Sequence, residues 1–140
     1  MKEQNFKKHA QYVPGFHFLA LTLIGASLII AIILLVSGGF SLSNVFDLLV
    51  ALSLGLLFFY LRQFATANQD RIIRSEENFR SFRLTGKVLD SRLTKGQIIA
   101  LRFAGDEEYS SLTEKATKED LGPGDIKKAV QQWRADHHRV

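Results

Sequence analysis

Two long apolar runs near the N-terminus constrain this chain more than any other feature. Residues 16–36 contain no charged side chain, and residues 42–61 contain a single one, Asp47. Because a helix rises about 1.5 Å per residue, the first run spans roughly 31 Å, enough to cross the hydrocarbon core of a bilayer. Both runs are longer than the core of a small soluble domain requires. We therefore predict two transmembrane helices.

The first run also has features of a secretory signal, because lysines precede it and the small residues 37–39 follow it. Its apolar stretch is longer than that of a signal peptide, and a second span comes directly after it. We therefore expect the run to be retained as an anchor. The chain has no cysteine, so neither disulfides nor thiolate metal sites are available, and redox chemistry does not indicate a compartment.

Topology follows from the basic residues close to the span ends. They are Lys2, Lys7 and Lys8 before the first span, and Arg62, Arg71 and Arg74 after the second. The connection at residues 37–41 carries no charge. By the positive-inside rule, both termini are predicted to face the cytoplasm.

The predicted fold is all-α, with a membrane-spanning hairpin and a C-terminal cytoplasmic helical domain. Its segments are a cytoplasmic N-terminal segment 1–15, transmembrane helix 16–36, external loop 37–41, transmembrane helix 42–61, and cytoplasmic part 62–140. Ser43 or Asn44 is predicted to cap the second helix. No glycine or proline follows residue 61 until Gly86, so the second span is predicted to continue as a stalk and to stop there.

Small residues four apart predict a packing seam between the spans, because they let helix backbones approach closely. The pairs are Thr22 with Ala26, Ser27 with Ala31, and Ala51 with Gly55. This seam could equally bind a second copy of the chain.

The stalk carries a second seam with alternating spacings of four and three residues, as in a coiled coil. Its members are Leu61, Ala65, Asn68, Ile72, Ser75, Phe79 and Phe82. Because the seam is short and partly polar, we expect it to pack against the later helices of the same chain. A dimeric coiled coil is the alternative.

Three shorter helices are predicted in the second half. Thr94 and Gln97 have capping-box spacing ahead of the apolar run 98–104. Asp106 is predicted to cap a helix through about residue 118, with Tyr109, Leu112 and Ala116 facing inwards. A final helix begins after Gly122 and Pro123, with Ile126, Ala129, Val130 and Trp133 on one face. Trp133 is thus predicted to be a core anchor, or a partner-binding residue if it is exposed.

The chain resembles a family of small uncharacterised bacterial two-span membrane proteins over nearly its whole length. The segments that carry the resemblance are 4–9, 70–74 with Glu76 and Glu77, 97–104, and 133–136. The resemblance implies a bacterial origin and the inner membrane. It implies no active site, because that family is a domain of unknown function.

Asp47 is the sharpest single candidate, because a carboxylate in an apolar span is costly unless it is neutral, paired or near water. It lies about one turn into the second helix, where a helix N-terminus favours negative charge. With Ala51 and Gly55 it shares one helical face. We expect a solvated residue, with a proton-handling or packing role in an oligomeric seam as the alternative.

Five arginines, Arg62, Arg71, Arg74, Arg80 and Arg83, are candidate contacts for anionic lipid. Residues 62–102 hold nine basic and four acidic residues, whereas residues 103–126 hold two basic and seven acidic ones. Pairing of the basic stalk with the chain's own acidic segment is therefore the preferred interpretation.

Other classes of function have little support. Residues 62–140 hold fifteen basic and twelve acidic residues, with no nucleic-acid recognition motif. No nucleophile has an identifiable base and orienting acid, so we predict neither an enzyme nor a cofactor. Asp136, His137 and His138 are interpreted as a solvated tail rather than metal ligands.

We therefore predict a membrane-anchored interaction or scaffold protein. Its predicted partners are the lipid bilayer and either a second copy or a larger membrane protein. The alternative is an accessory subunit of a transporter or ion pathway that uses Asp47 in an oligomeric seam.

Overall fold

The computed structural model describes residue 6 and residues 12–136 of the chain. Within these residues there are five α-helices and no β-strand, which confirms the all-α prediction. The helices are α1 (Leu21–Gly38), which continues a π-helical turn Gly15–Ala20, α2 (Leu42–Thr85), α3 (Lys95–Leu101), α4 (Asp106–Lys118) and α5 (Pro123–Ala129). Residues 12–66 belong to one compact unit, the hairpin unit, and residues 67–136 to another, the helical unit.

Two helical segments are long and apolar enough to span a membrane, as predicted. They are Gly15–Gly38 and Leu42–Thr85. Only 6% of the most apolar window of each is buried, so most of these apolar side chains face outwards. A core helix of a soluble protein buries such side chains, whereas lipid is their natural solvent in a membrane.

The turn of the hairpin is closed by Asn44. Its side-chain Nδ2 donates to the carbonyl oxygens of Leu34 at 3.1 Å and Gly39 at 2.9 Å. The start of α2 is capped by Ser41, whose Oγ accepts from the backbone N–H of Asn44 at 3.2 Å. The predicted caps, Ser43 and Asn44, are wrong by two to three residues. The side-chain amide of Asn44 binds the loop instead of capping the helix.

Inside the hairpin unit, the buried residues of the two helices are alanines. Ala31 of α1 and Ala51 of α2 are both almost completely buried. A Cβ placed on Gly55 would lie 3.9 Å from Ile24. The small residues Ala31, Ala51 and Gly55 thus lie where α1 and α2 pack. Thr22 and Ala26, which the four-residue spacing also placed in this seam, are exposed.

The second helix continues without interruption to Thr85, which confirms the predicted extension of the span. Gly86 has a φ of +73°, and its N–H donates to the carbonyl of Phe82 at 2.8 Å. Glycine adopts this left-handed conformation without strain, so α2 ends where the sequence predicted.

The core of the helical unit is built from α3, α4 and α5. Its largest fully buried side chains are those of Leu101, Phe103, Tyr109 and Ile126. On α4, the predicted inward face is confirmed, since Leu112 and Ala116 are buried together with Tyr109.

The helix starts are also organised largely as predicted. The capping box of α3 is present: Thr94 Oγ1 accepts from the amide of Gln97 at 3.3 Å, and the Gln97 side chain accepts from the amide of Thr94 at 2.7 Å. In α4 the cap position is Gly105, so the prediction of Asp106 is one residue too late. Asp106 is the first helical residue, and its carboxylate pairs with arginines instead.

The predicted packing of the stalk seam is wrong. The face of α2 that is buried in the helical unit carries Ile73, Glu77, Arg80 and Ser81. Three apolar members of the seam are exposed instead, Ile72 by 58%, Phe79 by 69% and Phe82 by 57%. The buried face includes the charged residues Glu77 and Arg80, so its apolar pattern is weaker than that of the exposed seam.

The final helix is shorter than predicted. It ends at Ala129, and Val130 is already extended, so Trp133 does not continue its apolar face. The carboxylate of Glu108 accepts from the amides of Gln131 at 3.0 Å and Gln132 at 2.9 Å. These two amides are therefore held in a loop rather than in a helical ladder.

Candidate functional site

A cleft of about 400 Å³ lies in the helical unit. Its walls come from α2, from the end of α3 and from the segment after α5. It is lined by Ile73, Glu76, Glu77, Phe79, Arg80, Arg83, Arg102, Arg134, Ala135 and Asp136. Four arginines and three carboxylates thus surround one space, and we call it the arginine cleft.

Arg80 lines this cleft and is only 4% exposed. Its Nε donates to Asp106 Oδ1 at 2.8 Å, its Nη2 to the carbonyl oxygen of Ala104 at 2.6 Å, and its Nη1 to Glu77 Oε2 at 3.4 Å. The guanidinium lies over the ring of Tyr109, 4.2 Å from its centroid. The charge of Arg80 is therefore fully partnered within the fold.

Glu77 is a buried carboxylate, 5% exposed, on the part of α2 beyond the apolar run 42–61. Burial raises the pKa of Glu77, and the nearby Arg80 opposes that rise. The hydroxyl of Tyr109 donates to the backbone carbonyl of Glu77 at 3.3 Å, and burial also raises the pKa of Tyr109. Arg80, Glu77 and Tyr109 thus form one buried polar cluster between α2 and α4.

Asp106 links this cluster to the surface. Its Oδ1 lies 2.6 Å from Arg80 Nη2, and its Oδ2 lies 3.1 Å from Arg83 Nη2. The hydrogen bond from Arg80 lowers the pKa of Asp106 below its usual range, despite some desolvation. The position of Asp106 at the start of α4 also favours its negative charge.

Another ion pair lines the cleft. Arg102 Nη1 lies 3.0 Å from Asp136 Oδ2, and the guanidinium lies 4.7 Å from the ring centroid of Phe103. The backbone N–H of Arg134 donates to the carbonyl of Phe103 at 2.7 Å. These contacts hold the segment after α5 against the end of α3.

The five arginines predicted to contact lipid differ in their surroundings. Arg80 is buried and paired, so it is unavailable to a lipid headgroup, and Arg83 is exposed but paired with Asp106. Arg71 and Arg74 are exposed. In the hairpin unit, Arg62 lies 6.0 Å from the ring centroid of Phe16. Asp106 lies in the acidic segment 103–126, which the charge pattern predicts as the partner of the basic stalk.

Asp47 lines a second concavity, a groove of about 320 Å³ in the hairpin unit. The groove is otherwise lined mainly by apolar and small side chains, among them Ser27, Ala31 and Ala51. Asp47 itself is exposed in the second turn of α2. Gly55, the third residue of the predicted face, does not line the groove.

Trp133 is half-buried rather than fully buried. Its ring stacks on Phe103 with centroids 4.7 Å apart, and its backbone forms a bridge with Ala104. It therefore packs at the edge of the core, and it does so from a loop.

Within the part of the chain that the structure describes, no three potential metal ligands are grouped. Asp136 lies in the cleft, whereas His137 and His138 fall outside the described residues, as do the three N-terminal lysines used to predict topology.

Sequence reasoning missed the acidic and C-terminal members of the cleft. Glu77 and Arg80 lie with Ile73 on one helical face, and a charged pair three residues apart on such a face is a signal for a buried ion pair. Arg102 and Asp136 are far apart in the sequence, and no local pattern connects them.

The fold defines a small all-helical protein with two helices long enough to cross a membrane and a compact helical unit with an ion-paired cleft. The chain belongs to the family of unknown function DUF6526, whose model matches residues 1–140. No curated protein and no solved structure matches it.

Proposed function

We propose that this chain is a membrane-anchored interaction or scaffold protein of the bacterial cytoplasmic membrane. In this proposal the hairpin of α1 and α2 is the anchor, both termini face the cytoplasm, and the helical unit binds another protein. The observation that carries the proposal is the combination of two outward-facing apolar helices with a helical unit whose cleft is lined by ion-paired side chains.

The chemistry of the cleft favours a polypeptide segment as its occupant. Its arginines and carboxylates are nearly balanced in number, so the cleft is a weak attractor for a simple anion. A polypeptide offers charges of both signs together with apolar groups, which matches the mixed charged and apolar lining of the cleft. Partner binding of this kind needs no catalytic group.

Charge supports the proposed orientation. Exposed Arg71 and Arg74 follow the apolar run of α2, and the loop 37–41 between the spans is uncharged. Basic residues close to a span are retained on the cytoplasmic side.

A photo-activatable amino acid at position 134 tests the proposed interaction in the full-length chain in bacterial cells. Arg134 is exposed and lines the cleft, so we expect one dominant cross-linked protein. The matched control carries the same amino acid at Lys118, an exposed residue of α4 that does not line the cleft. We also expect Arg83→Glu to reduce the adduct, because it places a negative charge at the cleft. Equal adducts from positions 134 and 118 would count against the proposal.

The groove beside Asp47 favours a second candidate function, that of an accessory subunit of a transporter or ion pathway. A carboxylate that lines a groove among small residues is suited to an oligomeric seam or to proton exchange. Proton flux in reconstituted vesicles, measured with the native chain and with Asp47→Asn, tests this candidate. A flux that depends on Asp47 would favour it over the scaffold.

A further inference from the structure

One face of α2 in the helical unit carries large apolar side chains that are exposed. Within residues 67–136, this face consists of Asn68, Ile72, Ser75, Phe79 and Phe82, and we call it the stalk stripe. All five residues are exposed, although three of them are large apolar side chains. The face buried in the helical unit, around Ile73, Glu77 and Arg80, lies on the other side of the same helix. The stripe is therefore available to a partner.

The spacing of the stripe matches a helix of the same kind lying alongside it. Its residues are separated by steps of four, three, four and three. These steps place Ile72 and Phe79 at heptad position a. The other three residues, Asn68, Ser75 and Phe82, are then at position d. This repeat keeps one face in contact with a neighbouring helix over successive turns. Polar residues at seam positions lower stability, but they fix the register of the two helices.

The charges beside the stripe are complementary to those of a second copy in parallel orientation. In the same heptad frame Arg71 is at position g and Glu76 is at position e of the following heptad. In a parallel, in-register pair, position g of one helix faces the next position e of the other helix. Arg71 of each copy then faces Glu76 of the other copy, and symmetry supplies this pair twice. Both residues are exposed.

We propose that the stalk stripe is a self-association surface, on which α2 of two copies forms a parallel, in-register coiled coil. The proposal rests on the proposed membrane anchoring, because two hairpins inserted in the same direction present parallel helices. A seam of about two heptads is weak in dilute solution. Confinement of both copies to one membrane raises their effective concentration and supports such a weak contact.

Cross-linking of single cysteines in membranes tests this proposal directly, because the full-length chain has no cysteine of its own. Ser75→Cys places a thiol in the seam, and we expect a disulfide-linked dimer on oxidation. Arg74→Cys is the matched control, since the adjacent residue is exposed but lies off the stripe. We expect the dimer from position 75 to exceed that from position 74 by about five-fold, because disulfide formation requires Cβ atoms to approach closely.

Charge exchange tests the register. In the Ser75→Cys background, Arg71→Glu should lower the cross-linked fraction by about five-fold, because two attractive pairs become repulsive. The double variant Arg71→Glu and Glu76→Arg should restore it. Equal cross-linking at positions 74 and 75, an adduct with a different protein in place of the dimer, or no response to charge reversal would each overturn the proposal.

Alkaline carbonate extraction of the same membranes separates this proposal from the proposed anchoring. Extraction of the native chain would contradict the membrane anchor itself. Retention in the membrane without a dimer at position 75 would contradict self-association alone.

Discussion

Replacement of Arg80 by methionine removes the buried arginine that pairs with both Glu77 and Asp106. Methionine retains part of the apolar stem and loses the hydrogen bonds to Glu77, Asp106 and the carbonyl of Ala104. Glu77, which is 5% exposed, is then left without its nearest countercharge. We expect Arg80→Met to destabilise the helical unit strongly.

The expected loss in the free energy of unfolding comes mainly from the buried carboxylate of Glu77, which no longer has a partner of opposite charge in Arg80. Breaking a buried ion pair from one side typically costs about 3–5 kcal/mol. The pair with half-exposed Asp106 adds at most about 1 kcal/mol after discounting for solvent screening. A loss of about 3 kcal/mol in a unit of this size lowers Tm by roughly 12–24 °C.

The double variant Arg80→Met with Glu77→Met is the control. A buried ion pair can often be replaced by apolar side chains of similar volume at little cost. The double variant should therefore lose less stability than Arg80→Met alone, despite having two substitutions. The carbonyl of Ala104 still loses its donor, so recovery should be incomplete.

Thermal unfolding of the full-length chain in detergent measures both variants. The single tryptophan, Trp133, stacks on Phe103 in the helical unit and reports its unfolding by fluorescence. The sign of the pH dependence provides a second check. Loss of Arg80 raises the pKa of Glu77 further, so the missing stability should partly return as the pH falls below that pKa and the carboxyl becomes neutral. A double variant that is less stable than Arg80→Met would show that the unpaired charge of Glu77 does not cause the loss of stability.

Three further predictions concern single residues. Arg80 lowers the pKa of Asp106, so the ionised carboxylate stabilises the fold at neutral pH, and this stabilisation is lost as the pH falls through the lowered pKa. Asp106→Asn should therefore lower the free energy of unfolding at pH 7 by about 1 kcal/mol. Chemical denaturation across the pH range should also show a weaker loss of stability in acid than for the native chain. Trp133→Ala should cost about 2 kcal/mol by circular dichroism, less than the 3–5 kcal/mol typical of a fully buried tryptophan, because half-buried Trp133 only stacks on Phe103. Asp47→Asn should leave membrane insertion and cross-linked oligomer size unchanged, because exposed Asp47 lies near the start of α2; loss of assembly would make it a packing contact.

Local patterns predicted the helices well where one physical rule dominated. Apolar length predicted the two spans, Gly86 predicted the end of α2, and the spacing of Thr94 and Gln97 predicted the capping box of α3. The inward face of α4 followed from its periodicity. Each of these features depends on residues close together in the sequence.

Long-range contacts account for the errors. The end of α5 depends on Glu108, which binds two later amides and stops the helix before Trp133. The buried face of α2 depends on Arg80, whose partner Asp106 lies far along the chain. Periodicity detected an apolar stripe on α2 but could not decide whether the stripe or the charged face packs inside the unit.

The same distinction applies to the candidate site. The sequence identified Arg80 and Arg83 as basic stalk residues and proposed acidic residues beyond 103 as their partners, and the structure pairs both with Asp106. It did not predict the cleft, because Arg102 and Asp136 meet only when the segment after α5 folds back onto α3.

Accessibility labelling in intact bacterial cells tests most directly the claim that the hairpin anchors a cytoplasmic helical unit. Ser41 in the hairpin loop and Ser111 on α4 are both exposed, and each can be replaced by cysteine in a chain that has no other cysteine. A membrane-impermeant maleimide added outside the cells should label Ser41→Cys and leave Ser111→Cys unlabelled until the cells are opened. Labelling of Ser111→Cys but not Ser41→Cys in intact cells would contradict the proposed topology.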